Sequence, residues 1–143
     1  MADIVHLIQI AASPSALYEL VGTPEGFTKW WAEDLEKRAD GSIELGFFDR
    51  STVYRFRAAD LRPDELASWR CESGQEWQGT TLEFVLQPAD TGAVLRFTHR
   101  DWGAQTDYFA TCNTTWGELM FRLKATAEGK APGPLFSRSG MSY

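Results

Sequence analysis

The sequence has 143 residues, a length that fits a single domain. Hydrophobic residues make up 43% and charged residues 24%, which is typical of a soluble globular protein, whereas six Trp, four Tyr and nine Phe are unusually many aromatics. Its net charge of −6 argues against nucleic acid and anionic membrane surfaces as partners, because both favour a basic face.

The cysteines and the first residues indicate the compartment. Cys71 and Cys112 are too few and too far apart for a disulfide-stapled secreted fold. The stretch MADIVHLIQI lacks a basic segment followed by a long apolar one, so it predicts no signal peptide. No run approaches the ~18 apolar residues of a membrane span. We therefore expect a cytoplasmic protein with two reduced thiols.

The first third of the chain predicts one strand and two short helices. The β-branched run DIVHLIQI indicates a strand. In ASPSALYELVG, Ser13 is a candidate N-cap, Pro14 opens a helix and Gly22 ends it. TPEGFTKWW repeats this pattern, with Thr23 as cap and Pro24 at the first helical position.

The middle of the chain predicts an antiparallel meander. Five runs alternate with period two and are separated by turn residues. The runs are GSIELGFFD, STVYRFRAADL, ELASWRCES, GTTLEFVLQPA and GAVLRFTHRDW.

One long helix should follow, from about Thr106 to Glu128, ended by Gly129 and Pro132. We expect a folded domain over residues 1–130 and an irregular Pro-, Gly- and Ser-rich tail over 131–143. The element order predicts an α+β fold in which the long helix covers one face of a curved antiparallel sheet.

The alternation also predicts which side chains face the helix. Arginines and glutamates concentrate at one parity of the strands, so the other parity should face inward. The inward set is Ile43, Leu45, Phe47, Tyr54, Phe56, Trp69, Cys71, Leu82, Phe84, Leu86, Leu95, Phe97 and His99. On the helix, the stripe facing the sheet should be Phe109, Cys112, Asn113, Trp116, Met120, Leu123 and Ala127.

The inward-facing residues include an unusual number of side chains that carry a polar atom, and these predict a cavity. A buried amide without a partner costs about 1–3 kcal/mol, and buried Tyr and Trp usually need a partner for their polar atom. We expect a cavity between helix and sheet that is lined by Trp69, Cys71, Phe97, His99, Cys112, Asn113 and Trp116. The alternative is an ordinary packed core in which each polar group finds a partner inside the protein.

The order of motifs resembles the START-like (SRPBCC) superfamily, and within it the bacterial-type, single-domain members of the activator of heat shock protein ATPase homologue family. The motifs are P-E-x-x-x-x-W-W at Pro24–Trp31, the Gly-Thr-led strand at Gly79–Pro88, and L-x-x-T-H-x-x-W at Leu95–Trp102. This resemblance implies a helix-grip fold with a deep apolar cavity. Related families bind lipids, sterols, hormones or polyketides, and some cyclise or hydrolyse their ligands.

Three functions follow as hypotheses. The first is binding of an apolar or aromatic, lipid-like or polyketide-like small molecule. The second is a cyclase- or hydrolase-type enzyme with His99 as acid/base or Cys112 as nucleophile. The third is a module that interacts with a chaperone ATPase, ranked last because the eukaryotic activators carry an extra amino-terminal domain that this sequence does not show. No metal-ligand spacing or cofactor motif is present, so we expect neither a metal nor a cofactor, and a homodimer stays open.

The candidate ligand-binding residues come from the inward strand set, the stripe on the long helix and the second short helix. They are Trp30, Trp31, Tyr54, Phe56, Trp69, Cys71, Phe97, His99, Phe109, Cys112, Asn113, Trp116 and Met120. Because adjacent helical residues diverge by about 100°, we expect either Trp30 or Trp31 to be partly exposed at the cavity mouth. We expect the Asn113 amide to point into the cavity.

Overall fold

The computed structural model describes residues 1–142, which form seven strands and three helices. The strands are β1 (Ala2–Ile10), β2 (Asp34–Lys37), β3 (Ile43–Phe47), β4 (Thr52–Arg62), β5 (Leu66–Ser73), β6 (Thr81–Ala89) and β7 (Gly92–Trp102). The helices are α1 (Pro14–Val21), α2 (Pro24–Phe27) and α3 (Asp107–Ala127). The α+β helix-grip fold predicted from the sequence is confirmed.

One antiparallel sheet contains all seven strands in the order β1-β7-β6-β5-β4-β3-β2. Strands β2 to β7 follow one another as a meander, and β1 returns to pair with β7. The register shifts twice between β4 and β5, at Arg55/Phe56 and at Ala58/Asp60. Such bulges bend a sheet locally, and here they lie near its middle.

The helix caps follow the predicted chemistry. Ser13 Oγ accepts a hydrogen bond from the Ala16 N–H at 3.1 Å, and Thr23 Oγ1 accepts one from the Gly26 N–H at 3.0 Å. At α3, Thr106 Oγ1 accepts from the Phe109 N–H at 3.1 Å. Each side chain satisfies an N–H that the first helical turn leaves unpaired, so the helices begin where the sequence predicts.

The core lies between α3 and the concave face of the sheet. Every residue of the predicted inward strand set is buried, as the alternation required. From α3 the buried side chains are Cys112, Trp116, Leu119, Met120 and Leu123. Trp116 packs α3 against the sheet, since its ring centroid lies 4.3 Å from that of Phe97 on β7.

The tail, residues 131–142 of the described chain, forms no helix or extended strand but packs tightly. Leu135 is fully buried, and its N–H donates to the Trp30 carbonyl at 3.1 Å. The Phe136 N–H donates to the Trp31 carbonyl at 2.9 Å. The tail is therefore attached to the segment that follows α2.

Two further findings concern strand β2 and the character of the helices. Strand β2 was not predicted, because its four residues DLEK show neither apolar alternation nor β-branching. Within residues 1–142, no helix combines the length and the apolar character that crossing a bilayer requires.

Candidate functional site

A cavity of about 230 Å³ lies between the amino-terminal half of α3, strands β3 and β4, and the tail. Its helix wall consists of Tyr108, Thr111, Cys112, Thr115, Trp116 and Leu119. The remaining walls consist of Trp31, Phe47, Phe48, Thr52, Tyr54, Gln75, Trp77, Phe136 and Met141. Phe48, Gln75 and Thr111 are exposed, so the mouth opens between the β3–β4 turn, the β5–β6 loop and the start of α3.

The lining is mostly aromatic and has no charged side chain among the residues described. Trp77 occupies a central place in it. Its ring stacks on Tyr54 with centroids 4.0 Å apart and planes 8° apart, and it lies 6.0 Å from Trp116. Flat, rigid rings of this kind form a surface suited to an aromatic ligand.

Gly74 makes room for the stacking of the Trp77 and Tyr54 rings. It begins the β5–β6 loop with a φ of +132°, and a Cβ placed there would lie 2.2 Å from Tyr54 Cδ1. Only glycine combines that backbone conformation with the absence of a side chain. The stacked pair therefore depends on a residue outside the cavity wall.

Polar groups gather at one end of the cavity. The hydroxyls of Tyr54 and Tyr108 form a short hydrogen bond with each other. Burial raises the pKa of Tyr108 to about 12 and raises that of Tyr54 further, with their mutual bond adding to the rise at Tyr54. Both phenols therefore keep their protons at neutral pH.

Cys112 and Trp77 complete this end. Burial raises the pKa of the Cys112 thiol, and the neighbouring Trp77 N–H and Tyr108 hydroxyl offset part of that rise. Although Trp77 Nε1 lies close to the thiol, the two do not meet hydrogen-bond geometry, and this buried N–H has no partner in the described part of the chain. We call Tyr54, Trp77, Tyr108 and Cys112 the donor cluster.

The tail closes one side of the cavity. Phe136 packs edge-to-face on Phe47 with centroids 4.9 Å apart. From α3, the Arg122 guanidinium donates to the carbonyls of Gly133 at 2.8 Å and Ser142 at 2.5 Å. The half-buried guanidinium thus holds both ends of the tail against the helix.

His99 lies in the core and does not line the cavity. Its Nδ1 accepts a hydrogen bond from Trp116 Nε1 at 3.1 Å, and its Nε2 lies 2.8 Å from Thr80 Oγ1. Burial lowers the pKa of His99 to about 3, so the ring is neutral at physiological pH. With both nitrogens engaged and no access to the cavity, His99 is not placed to act as the acid/base that the sequence suggested.

The structure places four of the candidate ligand-binding residues around the cavity and nine elsewhere. Trp31, Tyr54, Cys112 and Trp116 line it. Trp30, Phe56, Trp69, Cys71, Phe97, His99 and Met120 are buried in the core away from it, Phe109 is half-buried against Trp102, and Asn113 is exposed.

Several of the core residues are satisfied inside the protein, as the packed-core alternative required. Trp69 Nε1 donates to the Val21 carbonyl at 2.8 Å, and Trp30 Nε1 donates to the Leu20 carbonyl at 2.9 Å. The Cys71 thiol donates to the Ser73 carbonyl at 3.3 Å. Cys71 and Cys112 are both free thiols.

Two expectations about individual residues were wrong. Trp30 is 0% and Trp31 is 1% exposed, so neither stands partly exposed at a rim. Helix α2 is a single turn that ends at Phe27. Trp30 and Trp31 lie after it, so the angle between adjacent helical residues does not apply to them. Asn113 neither points into the cavity nor packs in a core, because its Oδ1 lies 3.0 Å from His6 Nε2 at the surface beside β1.

Sequence reasoning missed much of the lining. The omitted residues are Phe47, Phe48, Thr52, Gln75, Trp77, Tyr108, Thr111, Thr115, Leu119, Phe136 and Met141. One signal was available for Trp77, because a tryptophan inside the polar turn SGQEWQG needs a place to bury its ring. No group of three or more His, Cys, Asp or Glu side chains in residues 1–142 is arranged to hold a metal ion.

Comparison with known proteins gives a family and a fold. The family model described as Activator of Hsp90 ATPase homolog 1-like protein matches residues 11–128. The solution structure of the Aha1 dimer from Colwellia psychrerythraea is 31% identical, with a TM-score of 0.79, over 90% of this chain and 98% of that chain. A search of the curated proteins matched none at a significant level.

Two more distant structures show the fold alone. The AHSA1-like protein RHE_CH02687 from Rhizobium etli is 21% identical, with a TM-score of 0.66, over 93% of this chain and 86% of that chain. DynU16, from the dynemicin biosynthetic locus, is 16% identical, with a TM-score of 0.73, over 90% of this chain and 48% of that chain.

Proposed function

Since the chain belongs to the Activator of Hsp90 ATPase homolog 1-like family and has a START-like helix-grip fold, we propose that it binds an apolar or aromatic small molecule in the cavity. The observation that carries this proposal is the lining itself. Aromatic rings surround the space, no charged residue among those described lines it, and a few polar groups gather at one end. Ligand pockets typically combine an apolar wall with a small number of placed polar groups.

The volume limits the size of the ligand. A cavity of about 150 Å³ is enough to hold benzene. At about 230 Å³ this cavity accommodates a substituted benzene or two fused rings, and it is smaller than the roughly 300–1,000 Å³ of sites for drug-sized molecules. A compact aromatic compound therefore fits better than a sterol or a long acyl chain.

A matched pair of threonines on α3 tests the proposal. Thr115 lines the cavity, whereas the neighbouring Thr114 faces solvent, and each donates its hydroxyl to the carbonyl four residues earlier. Thr115→Trp should fill the cavity and lower the affinity for 2-ethylnaphthalene at least tenfold in calorimetric titration. Thr114→Trp should leave that affinity unchanged. No binding by the unmodified protein, or equal binding by both variants, would reject the proposal.

An interaction with a chaperone ATPase is the second candidate. The description of the matching family and the Aha1 relative favour it. The experiment is to add the protein to Hsp90 and to follow phosphate release from ATP. An increased rate supports this role, and an unchanged rate at saturating protein removes it.

We also propose that the chain assembles with a second copy of itself. The support is the Aha1 relative from Colwellia psychrerythraea, whose solution structure is a dimer. In this chain the edge strand β1 exposes two apolar side chains on its outer face, with Val5 50% and Leu7 59% exposed. An unpaired edge strand with apolar residues is a common site of association between chains.

A further inference from the structure

The donor cluster contains more hydrogen-bond donors than the protein itself uses. In the pair formed by Tyr54 and Tyr108, one hydroxyl donates to the other, so one phenolic proton has no acceptor within the pair. Trp77 Nε1 is a second donor, buried and without a partner in the described chain. A buried donor left unpaired is costly, and a bound acceptor would remove that cost.

Tyr108 is the phenol of the pair that is better placed to donate to a ligand. Tyr54 is only 3% exposed, whereas Tyr108 is half-buried at the start of α3, near the cavity mouth. An entering molecule therefore meets the Tyr108 hydroxyl first. When the Tyr54 hydroxyl donates to Tyr108, the Tyr108 hydroxyl has only the neighbouring Cys112 thiol, a weak acceptor, to donate to, and a ligand oxygen would replace it.

The surroundings disfavour an anionic acceptor. No Lys or Arg among the described residues lines the cavity. The Glu76 carboxylate lies beside its mouth, where Glu76 Oε1 accepts from Thr106 Oγ1 at 2.6 Å. After burial, this carboxylate is a further cause of the raised pKa values of Tyr108 and Cys112. A carboxylate ligand would be repelled and would find no counter-charge.

We propose that the cavity recognises an uncharged aromatic carbonyl compound, whose oxygen accepts hydrogen bonds from the Tyr108 hydroxyl and from Trp77 Nε1. This inference rests on the proposed function and names the chemical group that the site selects. The ring system lies against Trp31 and Trp116, and the carbonyl points toward the donor cluster.

Three probes with the same ring test the inference. They are 2-acetylnaphthalene, 2-ethylnaphthalene and 2-naphthoate, which differ in carrying a ketone, no acceptor or a carboxylate. We expect the ketone to bind about tenfold more tightly than the hydrocarbon, and the carboxylate at least tenfold more weakly than the ketone. In ¹⁵N-edited NMR, the ketone should shift the Trp77 indole N–H signal downfield, and the hydrocarbon should not.

Tyr108→Phe removes the hydroxyl and keeps the ring. It should lower ketone affinity to the level of the hydrocarbon and leave hydrocarbon affinity unchanged. Tyr18→Phe, on α1 and outside the cavity, is the matched control and should change neither affinity. Tyr54→Phe is the second variant if Tyr108→Phe does not fold, and it should also weaken the preference for the ketone.

The outcomes separate this inference from the proposed function. If none of the three compounds binds, both fail. If ketone and hydrocarbon bind equally, or if the naphthoate binds best, the cavity still holds an aromatic compound but the preference for a carbonyl is wrong. If Tyr108→Phe keeps the full ketone preference, the assignment of the donor is wrong.

Discussion

His99 illustrates how a candidate catalytic residue can be a structural one. Its Nδ1 accepts from Trp116, so its Nε2 carries the proton and donates to Thr80 Oγ1. The Thr80 hydroxyl in turn donates to the Trp77 carbonyl at 2.5 Å. This chain of hydrogen bonds links α3, β7 and the β5–β6 loop, and it orients two of the aromatic rings that line the cavity.

His99→Gln should lower the free energy of unfolding at pH 7 by about 1–3 kcal/mol, because a buried hydrogen-bond network is disturbed. The variant should also be less sensitive to acid. An unfolded histidine takes up a proton near pH 6.5, whereas His99 in the folded protein does so only near pH 3.

Between these values the unfolded state binds the extra proton, so His99 makes stability fall as the pH is lowered, by up to about 1.4 kcal/mol per pH unit. Above pH 6.5 it adds no slope. Urea unfolding at pH 7, 6 and 5 measures this. Parallel pH profiles for the two proteins would mean that His99 is not held neutral by burial.

At the scale of elements, the tail behaves as part of the domain. Leu135 and Phe136 pair with the backbone that follows α2, and the N–H of Arg138 donates to Glu33 Oε2 at 2.9 Å. The buried carboxylate of Asp34 forms ion pairs with Arg50 at 2.8 Å and with Arg138 at 3.3 Å. These contacts attach the tail both to β2 and to the β3–β4 turn.

Arg122→Ala should loosen the tail, because three carbonyl groups lose their donor. We expect faster hydrogen exchange at the amides of Leu135 and Phe136, and a loss of about 1–2 kcal/mol in the free energy of unfolding. Affinity for 2-ethylnaphthalene should fall because Phe136 forms part of the wall. Lys124→Ala is the control, since Lys124 donates to the Gln9 carbonyl instead of the tail. Unchanged exchange in Arg122→Ala would show that the backbone contacts alone hold the tail.

At the scale of the whole molecule, the proposed assembly gives the next prediction. Light scattering coupled to size exclusion should give twice the mass of 16.1 kDa. If β1 forms the interface, Leu7→Lys should shift the distribution to the monomer, because a charge on an edge strand opposes pairing. Leu61→Lys is the matched control, because Leu61 is a similarly exposed leucine on β4, far from β1 in the sheet. A monomer at all concentrations would contradict the proposal.

The sequence predicted the architecture because period-two alternation and helix caps are local signals. Ser13, Thr23 and Thr106 mark the observed helix starts, and the inward parity of the strands is the observed buried set. Alternation tells which face is covered but not how completely it is filled. The cavity depends on partners that are distant in sequence.

The backbone carbonyls of Leu20 and Val21 show this, since they satisfy Trp30 and Trp69 and make them core residues. The tail is a second example of a distant partner, because no periodic signal indicated that Phe136 would line the cavity. On α3, the predicted stripe included Asn113 and omitted Leu119. The observed buried face runs through positions 116, 119 and 123 instead, and Asn113 lies outside it, beside β1.

The attachment of the tail has a consequence for how this protein could diversify. Its main-chain hydrogen bonds to Trp30 and Trp31 do not depend on which side chains the tail carries. The side chains at positions 136 and 141 can therefore be exchanged for larger or smaller ones while the strands, the long helix and their caps stay as they are. In this architecture, substitutions in the tail can change the size of the cavity without altering the sheet or the long helix that form the fold.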